Sequence, residues 1–153
     1  MKIQIDRIPQ AGQRICTEEP VAQYDIAYLD FVFKDPIGVD VGAQVVSGNL
    51  VVSGKIWTTV QMTCSRCLNP FSRDWADPSY NFDCAITGPN EIIDLTDHIR
   101  EDIILGLPVK PLCREECRGL CNVCGVDNNK TACECSKKKT DIRWSDLNKL
   151  KLE

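Results

Sequence analysis

VGAQVVSGNLVVSGKIWTTVQMTCSRCLNP, residues 41–70, is the stretch on which the fold turns. Residues 41–63 are rich in valine, threonine and isoleucine, the side chains that suit a pleated surface. Ser47-Gly48-Asn49 divides the run in two and reads as a hairpin turn. Gly54, inside the second run, marks a bulge. The strand then meets Cys64-Ser65-Arg66-Cys67-Leu68-Asn69-Pro70, and strand features resume at Phe71 and continue to about Ile86. Cys64 and Cys67 are therefore expected at the tip of a β-hairpin. Two thiolates three residues apart on a tight turn can grip one tetrahedral ion; the plainer alternative is two buried cysteines capping a turn. Trp57, Trp75 and Tyr80 flank the hairpin and are expected to pack on the sheet.

Downstream, Thr87-Gly88-Pro89 ends the sheet. Residues 91–107, EIIDLTDHIREDIILGL, predict a helix, because Leu95, Ile99, Ile103 and Leu107 recur every four residues. Asp94 or Thr96 can cap it, and Gly106 and Pro108 stop it. His98, the single histidine, is expected as a solvated helix residue, a ligand role being the alternative. Upstream, residues 1–5 predict a short strand, 6–23 a loop with Cys16 as a free thiol, 24–33 a strand and 35–38 a turn.

Residues 113–135, CREECRGLCNVCGVDNNKTACEC, hold six of the ten cysteines. Cys121-x2-Cys124-Gly125 repeats the knuckle pattern, with a glycine to relieve the turn. Cys133-x-Cys135 places two thiols on one side of an extended backbone. A disulfide framework or free thiols are the alternatives to metal. Residues 108–112, with Pro108 and Pro111, make a stiff connector able to return Cys113 and Cys117 to the hairpin. That favours Cys64, Cys67, Cys113 and Cys117 as one four-thiolate site, and Cys121, Cys124, Cys133 and Cys135 as a second. The competing division gathers Cys113, Cys117, Cys121 and Cys124 and leaves two pairs alone. Cys84 is expected as a core thiol. Beyond lies the lysine run Lys137-Lys138-Lys139, then a Trp144, Leu147, Leu150 stripe on a short terminal helix.

The fold class expected is α+β: an antiparallel, sheet-like or barrel-like domain over residues 1–108 with a zinc-knuckle hairpin and one main helix. Residues 109–153 form a cysteine-rich module. Residues 1–108 carry 8 basic against 15 acidic residues, and 109–153 carry 10 against 7, so a chain of net charge −4 has a basic end. Part of that charge offsets the formal −2 of each zinc–tetrathiolate. No apolar run of 18 residues exists and the N-terminal residues do not read as a signal peptide, so a reducing, cytoplasmic setting is expected, where clustered cysteines hold metal more often than they pair. No nucleophile–histidine constellation, glycine-rich phosphate loop or His-x-Glu deaminase motif is present. Closed four-thiolate sites are structural, so neither an enzyme nor a small-molecule substrate is expected.

Several segments in this order carry a family resemblance. They are Cys64-Ser65-Arg66-Cys67-Leu68, Ile93-Asp94-Leu95, residues 107–113 (LPVKPLC), residues 117–125 (CRGLCNVCG) and Asp141-Ile142-Arg143-Trp144. Together they resemble the YceD family of bacterial and chloroplast large ribosomal RNA subunit accumulation proteins. Asn122 and Ile142 stand where the family commonly has proline. The resemblance implies a ribosome biogenesis factor, supporting synthesis, processing or stability of 23S ribosomal RNA. The partner would be that RNA, a pre-ribosomal particle or an assembly protein. Phosphate contacts are expected from Arg114, Arg118, Lys130, Lys137, Lys138, Lys139 and Arg143. Two zinc ions per chain are expected. The other classes are a redox or iron–sulfur protein, since four thiolates also hold iron, and a zinc-stabilised protein-binding adaptor.

Overall fold

A computed structural model describes residues 1–26 and 31–135. Strands β4 (Ile37–Val46) and β5 (Asn49–Thr63) form the expected hairpin, closed by Val46 opposite Asn49. Ser47 and Gly48 at the turn have φ of 50° and 83°. Two left-handed residues give a turn whose twist matches that of the strands. Strand β6 (Pro70–Ala85) runs back along the whole of β5, from Thr63 opposite Pro70 to Asn49 opposite Ala85. On its other edge β5 pairs first with β4 and then, at Gln61 and Val60, with the short β3 (Val32–Phe33). Strand β2 (Gln13–Glu19) lies outside β4. A separate two-stranded sheet joins β1 (Lys2–Gln4) to β7 (Ile92–Asp94). All these pairs are antiparallel, and with helix α1 (Thr96–Gly106) they make an α+β fold whose larger sheet is open.

Alternation selects the core face. In β5 the buried side chains are Leu50, Val52, Ile56, Thr58, Val60 and Met62, and in β4 they are Ile37, Val39, Val41 and Ala43. Helix α1 lays Ile99 and Ile103 on this face, beside Leu95. Each fully buried isoleucine or leucine contributes about 1.5–3 kcal/mol. The bulge expected at Gly54 is present, with the extra residue on β6: Gly54 pairs with Tyr80 but Ile56 with Asp77. This reverses the parity of β6. Phe71 and Trp75 face the core before the bulge, and Tyr80, Phe82 and Cys84 after it. Pro78 sits in the bulge, where it has no ladder bond to break. Gly54 itself admits no side chain, because a Cβ there would lie 2.2 Å from the Asp40 carbonyl oxygen.

Three expectations need correction. Residues 6–23 are not simply loop: they contain β2 and two turns of 3-10 helix, Ile5–Arg7 and Val21–Gln23. Strand β2 was hard to read because it is an edge strand with only half-buried or exposed side chains. Of residues 24–33, 27–30 lie outside the described residues; among the others only Val32–Phe33 are a strand, and Tyr24 and Ile26 are buried around a turn in which Asp25 has φ 46°. Finally, residues 92–94 are β7 rather than helix. Leu95 is the N-cap of α1 and makes no side-chain cap bond; Asp94, at the junction, accepts hydrogen bonds from the Thr96 N–H at 3.0 Å and the Thr96 hydroxyl, a local turn that leads into the helix.

Candidate metal centres

The turn between β5 and β6 is a knuckle. Leu68 N–H donates to the Cys64 carbonyl at 2.9 Å and Cys64 N–H to the Asn69 carbonyl at 3.0 Å, while Leu68 takes φ 58°. The same arrangement recurs at residues 121–126. Gly125 N–H donates to the Cys121 carbonyl at 2.9 Å, Cys121 N–H to the Val126 carbonyl at 2.8 Å, and Gly125 takes φ 75°. An isolated bridge, Leu120 with Asp127, closes the second knuckle as Thr63 with Pro70 closes the first.

The two knuckles are joined. Ser65 N–H donates to the Pro111 carbonyl at 2.8 Å, which holds the connector against the hairpin tip. Leu120 N–H donates to the Arg66 carbonyl at 3.0 Å. Gly119, with φ 69°, lets the chain pass there, since a Cβ would lie 2.8 Å from that same carbonyl oxygen. The Arg66 side chain donates to the Glu115 and Cys117 carbonyls at 3.0 and 2.9 Å. As a result Cys113 and Cys117 face Cys64 and Cys67.

The sulfurs gather in two sets, Cys64, Cys67, Cys113 and Cys117, and Cys121, Cys124, Cys133 and Cys135, each within 4.8 Å of one another. Either set could hold a metal ion. None of the ten cysteines is in a disulfide. Cys64 lies 3.8 Å from Cys117, and Cys67 lies 3.8 Å from Cys113. Sulfurs about 2.3 Å from a central ion form a tetrahedron with edges of about 3.8 Å, so the donor set fits tetrahedral coordination. The first set is walled by Phe71 and Leu112. The second is partly open, with Cys124 exposed.

Four thiols this close compete for ionisation. Burial opposes a charge on Cys64, but backbone N–H groups of Cys113, Cys67 and Arg66 outweigh it and bring the thiol down to about 6. In the second set the N–H groups of Cys124 and Val123 bring Cys121 down to about 6. Burial and then the neighbouring Cys64 and Cys117 push Cys113 up to about 12, and Cys124 followed by burial pushes Cys135 up to about 12. A divalent cation is the species that offsets such repulsion.

A family model, Large ribosomal RNA subunit accumulation protein YceD, matches residues 81–151. The C-terminal half of the chain is thus similar to the YceD family. The chain is 32% identical over 59 residues to the chloroplastic YCED homolog 1 of Arabidopsis thaliana, a match covering 39% of this chain and 18% of that protein. It is 24% identical over 144 residues to the Zea mays homolog, covering 67% of this chain and 49% of the relative. An uncharacterized protein of Mycobacterium tuberculosis is 29% identical over 104 residues, covering 59% and 50%. The chain spans half or less of the length of these curated relatives. No solved structure matches it.

Other residues singled out from the sequence fall elsewhere. His98 is exposed on α1, its ring centroid 4.5 Å from that of Phe82, and belongs to neither sulfur set. Cys16 is exposed on β2, and Cys84 is half-buried against the core. Arg114, Arg118 and Lys130 are exposed. The Arg114 guanidinium donates to Asn129 Oδ1 at 2.8 Å. Lys137, Lys138, Lys139, Arg143 and the Trp144 stripe lie outside the described residues. Sequence reasoning missed Arg66, Asn69, Asp127 and Asn129, which bind the knuckles together. The only signal was the run Asp127-Asn128-Asn129, whose side chains favour local turns. No helix among the described residues is long and apolar enough to cross a membrane.

Proposed function

We propose that the chain is a non-enzymatic factor in the accumulation of large-subunit ribosomal RNA, built on two structural zinc sites. The observation that carries this reading is the pair of four-sulfur sets in a chain whose residues 81–151 match the YceD family model. Cys64, Cys67, Cys113 and Cys117 would hold one Zn2+, and Cys121, Cys124, Cys133 and Cys135 the other. Four thiolates leave no position on the ion for water or substrate, which is the arrangement of structural sites. The bound ion would supply cross-linking of chain segments and charge compensation, with no reaction at the metal.

In this reading residues 1–108 are a β-rich unit and 109–153 a basic, cysteine-rich one. The partner is 23S ribosomal RNA or its precursor particle in a bacterial cytoplasm. Contact runs through phosphates, using Arg114, Arg118, Lys130, Lys137, Lys138, Lys139 and Arg143. Metal analysis of purified protein is expected to give a zinc-to-protein ratio near two; a ratio of zero with the fold intact overturns the metal assignment. Brown protein would mark iron–sulfur chemistry instead. Changing Lys137, Lys138 and Lys139 together to glutamate is expected to weaken binding to pre-ribosomal particles and to lower the salt slope by roughly one unit per lost phosphate contact. Unchanged affinity and slope would remove the lysines from the interface. Crosslinks to protein alone would favour the adaptor reading.

A further inference from the structure

Between Cys124 and Cys133 the chain forms a polar turn, residues 127–131, that belongs in sequence to the second sulfur set but packs against the first. Asn129 is its hub. Its Nδ2 donates to Cys117 Sγ at 3.4 Å and to Asp127 Oδ1 at 2.7 Å. Its Oδ1 accepts from the Arg118 N–H at 2.9 Å and from Arg114 Nη2 at 2.8 Å. Asp127 is held in turn: Oδ1 accepts the Asn129 N–H at 2.9 Å and Oδ2 accepts Asn69 Nδ2 at 3.0 Å, beside the first knuckle. Asn129 is half-buried, while Cys117 is 3% exposed.

An N–H aimed at a thiolate sulfur stabilises its charge and orients it, and such outer groups tune metal affinity. Here the donor is delivered by a turn that the second set closes at both ends. Ordering the second set orders this turn, and the turn supplies the donor to the first.

We propose that Asn129 is a positioning residue through which the second four-sulfur set stabilises metal at the first. The proposal rests on the metal reading above. The coupling is reciprocal, as any linkage between two binding equilibria must be.

The test uses the full chain loaded with zinc, challenged with a competing chelator and a thiol-alkylating reagent. Mass spectrometry follows the protection half-life of each cysteine. Asn129→Asp keeps an acceptor oxygen and the size of the side chain but replaces the Nδ2–H donors by a charged carboxylate oxygen. It should shorten the half-lives of Cys64, Cys67, Cys113 and Cys117 by roughly 10- to 100-fold, the usual effect of losing such a partner. Asn129→Leu, of similar size, removes the donors without adding charge and should shorten the same half-lives. Cys124→Ser, which disables the second set, should shorten the same four half-lives by a similar factor. The double variant should add little, because both changes act through one turn.

A cobalt-loaded sample gives a further signature: the sulfur-to-metal charge-transfer band of the first set should shift in Asn129→Asp. First-set half-lives within twofold of wild type in any single variant overturn the proposal, as do effects that multiply in the double variant. Wild-type protein that takes up no metal, with all eight thiols alkylating at once, overturns the metal reading itself. Circular dichroism of each variant before the challenge verifies that the chain is folded. If Asn129→Asp does not fold, the shift in Cys124→Ser alone decides the coupling.

Discussion

Leu68 and Gly125 occupy equivalent places, each the residue after the second cysteine of a knuckle. Both have a left-handed backbone and donate to the first cysteine's carbonyl. Glycine adopts that conformation freely, whereas a residue with a Cβ is strained there by about 1–2 kcal/mol. The Leu68 side chain is 62% exposed, so burial compensates only in part; it edges a groove shared with Met62, Val109 and Pro111. Leu68→Gly is therefore expected to stabilise the metal-loaded chain by roughly 0.5 kcal/mol, after the greater flexibility of glycine in the unfolded chain is counted. That corresponds to a rise of about 1–2 °C in the thermal midpoint. A lower midpoint would show that the leucine's groove contacts outweigh the backbone strain. The need for a left-handed residue at Gly125 was legible in the sequence. The same need at Leu68 was not, because nothing in a leucine announces it.

At the scale of elements, the join between β7 and α1 depends on Asp94. Hydrogen bonds from the Thr96 hydroxyl and N–H hold its carboxyl below the ordinary value of 3.8. A carboxyl lowered in the folded state contributes stability above its unfolded pKa, and that contribution is lost as pH falls through the folded value. Asp94→Ala is expected to cost about 1 kcal/mol at pH 7, the usual effect of losing hydrogen bonds to a charged acceptor. The difference from wild type should shrink once the pH drops below about 4. Denaturant midpoints of the two proteins at pH 7 and pH 3 check this, and both share the same cysteines, so their difference isolates Asp94. A gap that persists at pH 3 would mean that shape rather than charge matters at the join. Helix α1 was legible from Leu95 onward because its four-residue period is carried by core side chains. Strand β7 was read as part of the helix because three residues are too few to set a period of two against it.

Across the whole molecule, the first sulfur set links chain positions far apart: the β5–β6 tip to residues 113–117. Metal binding at such a site is coupled to folding. Cys67→Ser is expected to raise amide exchange in residues 109–120 as well as in the hairpin tip, while α1 and β4 keep their protection. Unchanged exchange around Cys113 would refute a site shared between the two segments. The Ser65–Pro111 and Leu120–Arg66 backbone bonds should be the first to open, since they sit directly against the knuckle.

The sequence by itself determined the β4–β5–β6 hairpins, the helix, the bulge at Gly54 and the two cysteine knuckles. Each is written in a local pattern: alternation, a period near four, a turn glycine, or thiols three residues apart. It also favoured the grouping of the eight thiols, because a stiff connector after a packed helix leaves Cys113 few places to go. What only the tertiary structure decided is whatever depends on residues remote in the chain. The side of the bulge that carries the extra residue, and hence which β6 side chains face the core, follows from register with β5. Strand β2 is a strand because β4 offers it an edge, not because its own residues alternate. Asn129 reaches Cys117 because the second knuckle folds back on the first. Hydrogen bonds of that kind leave no period in a sequence, since their partners are brought together only by the packing of the rest.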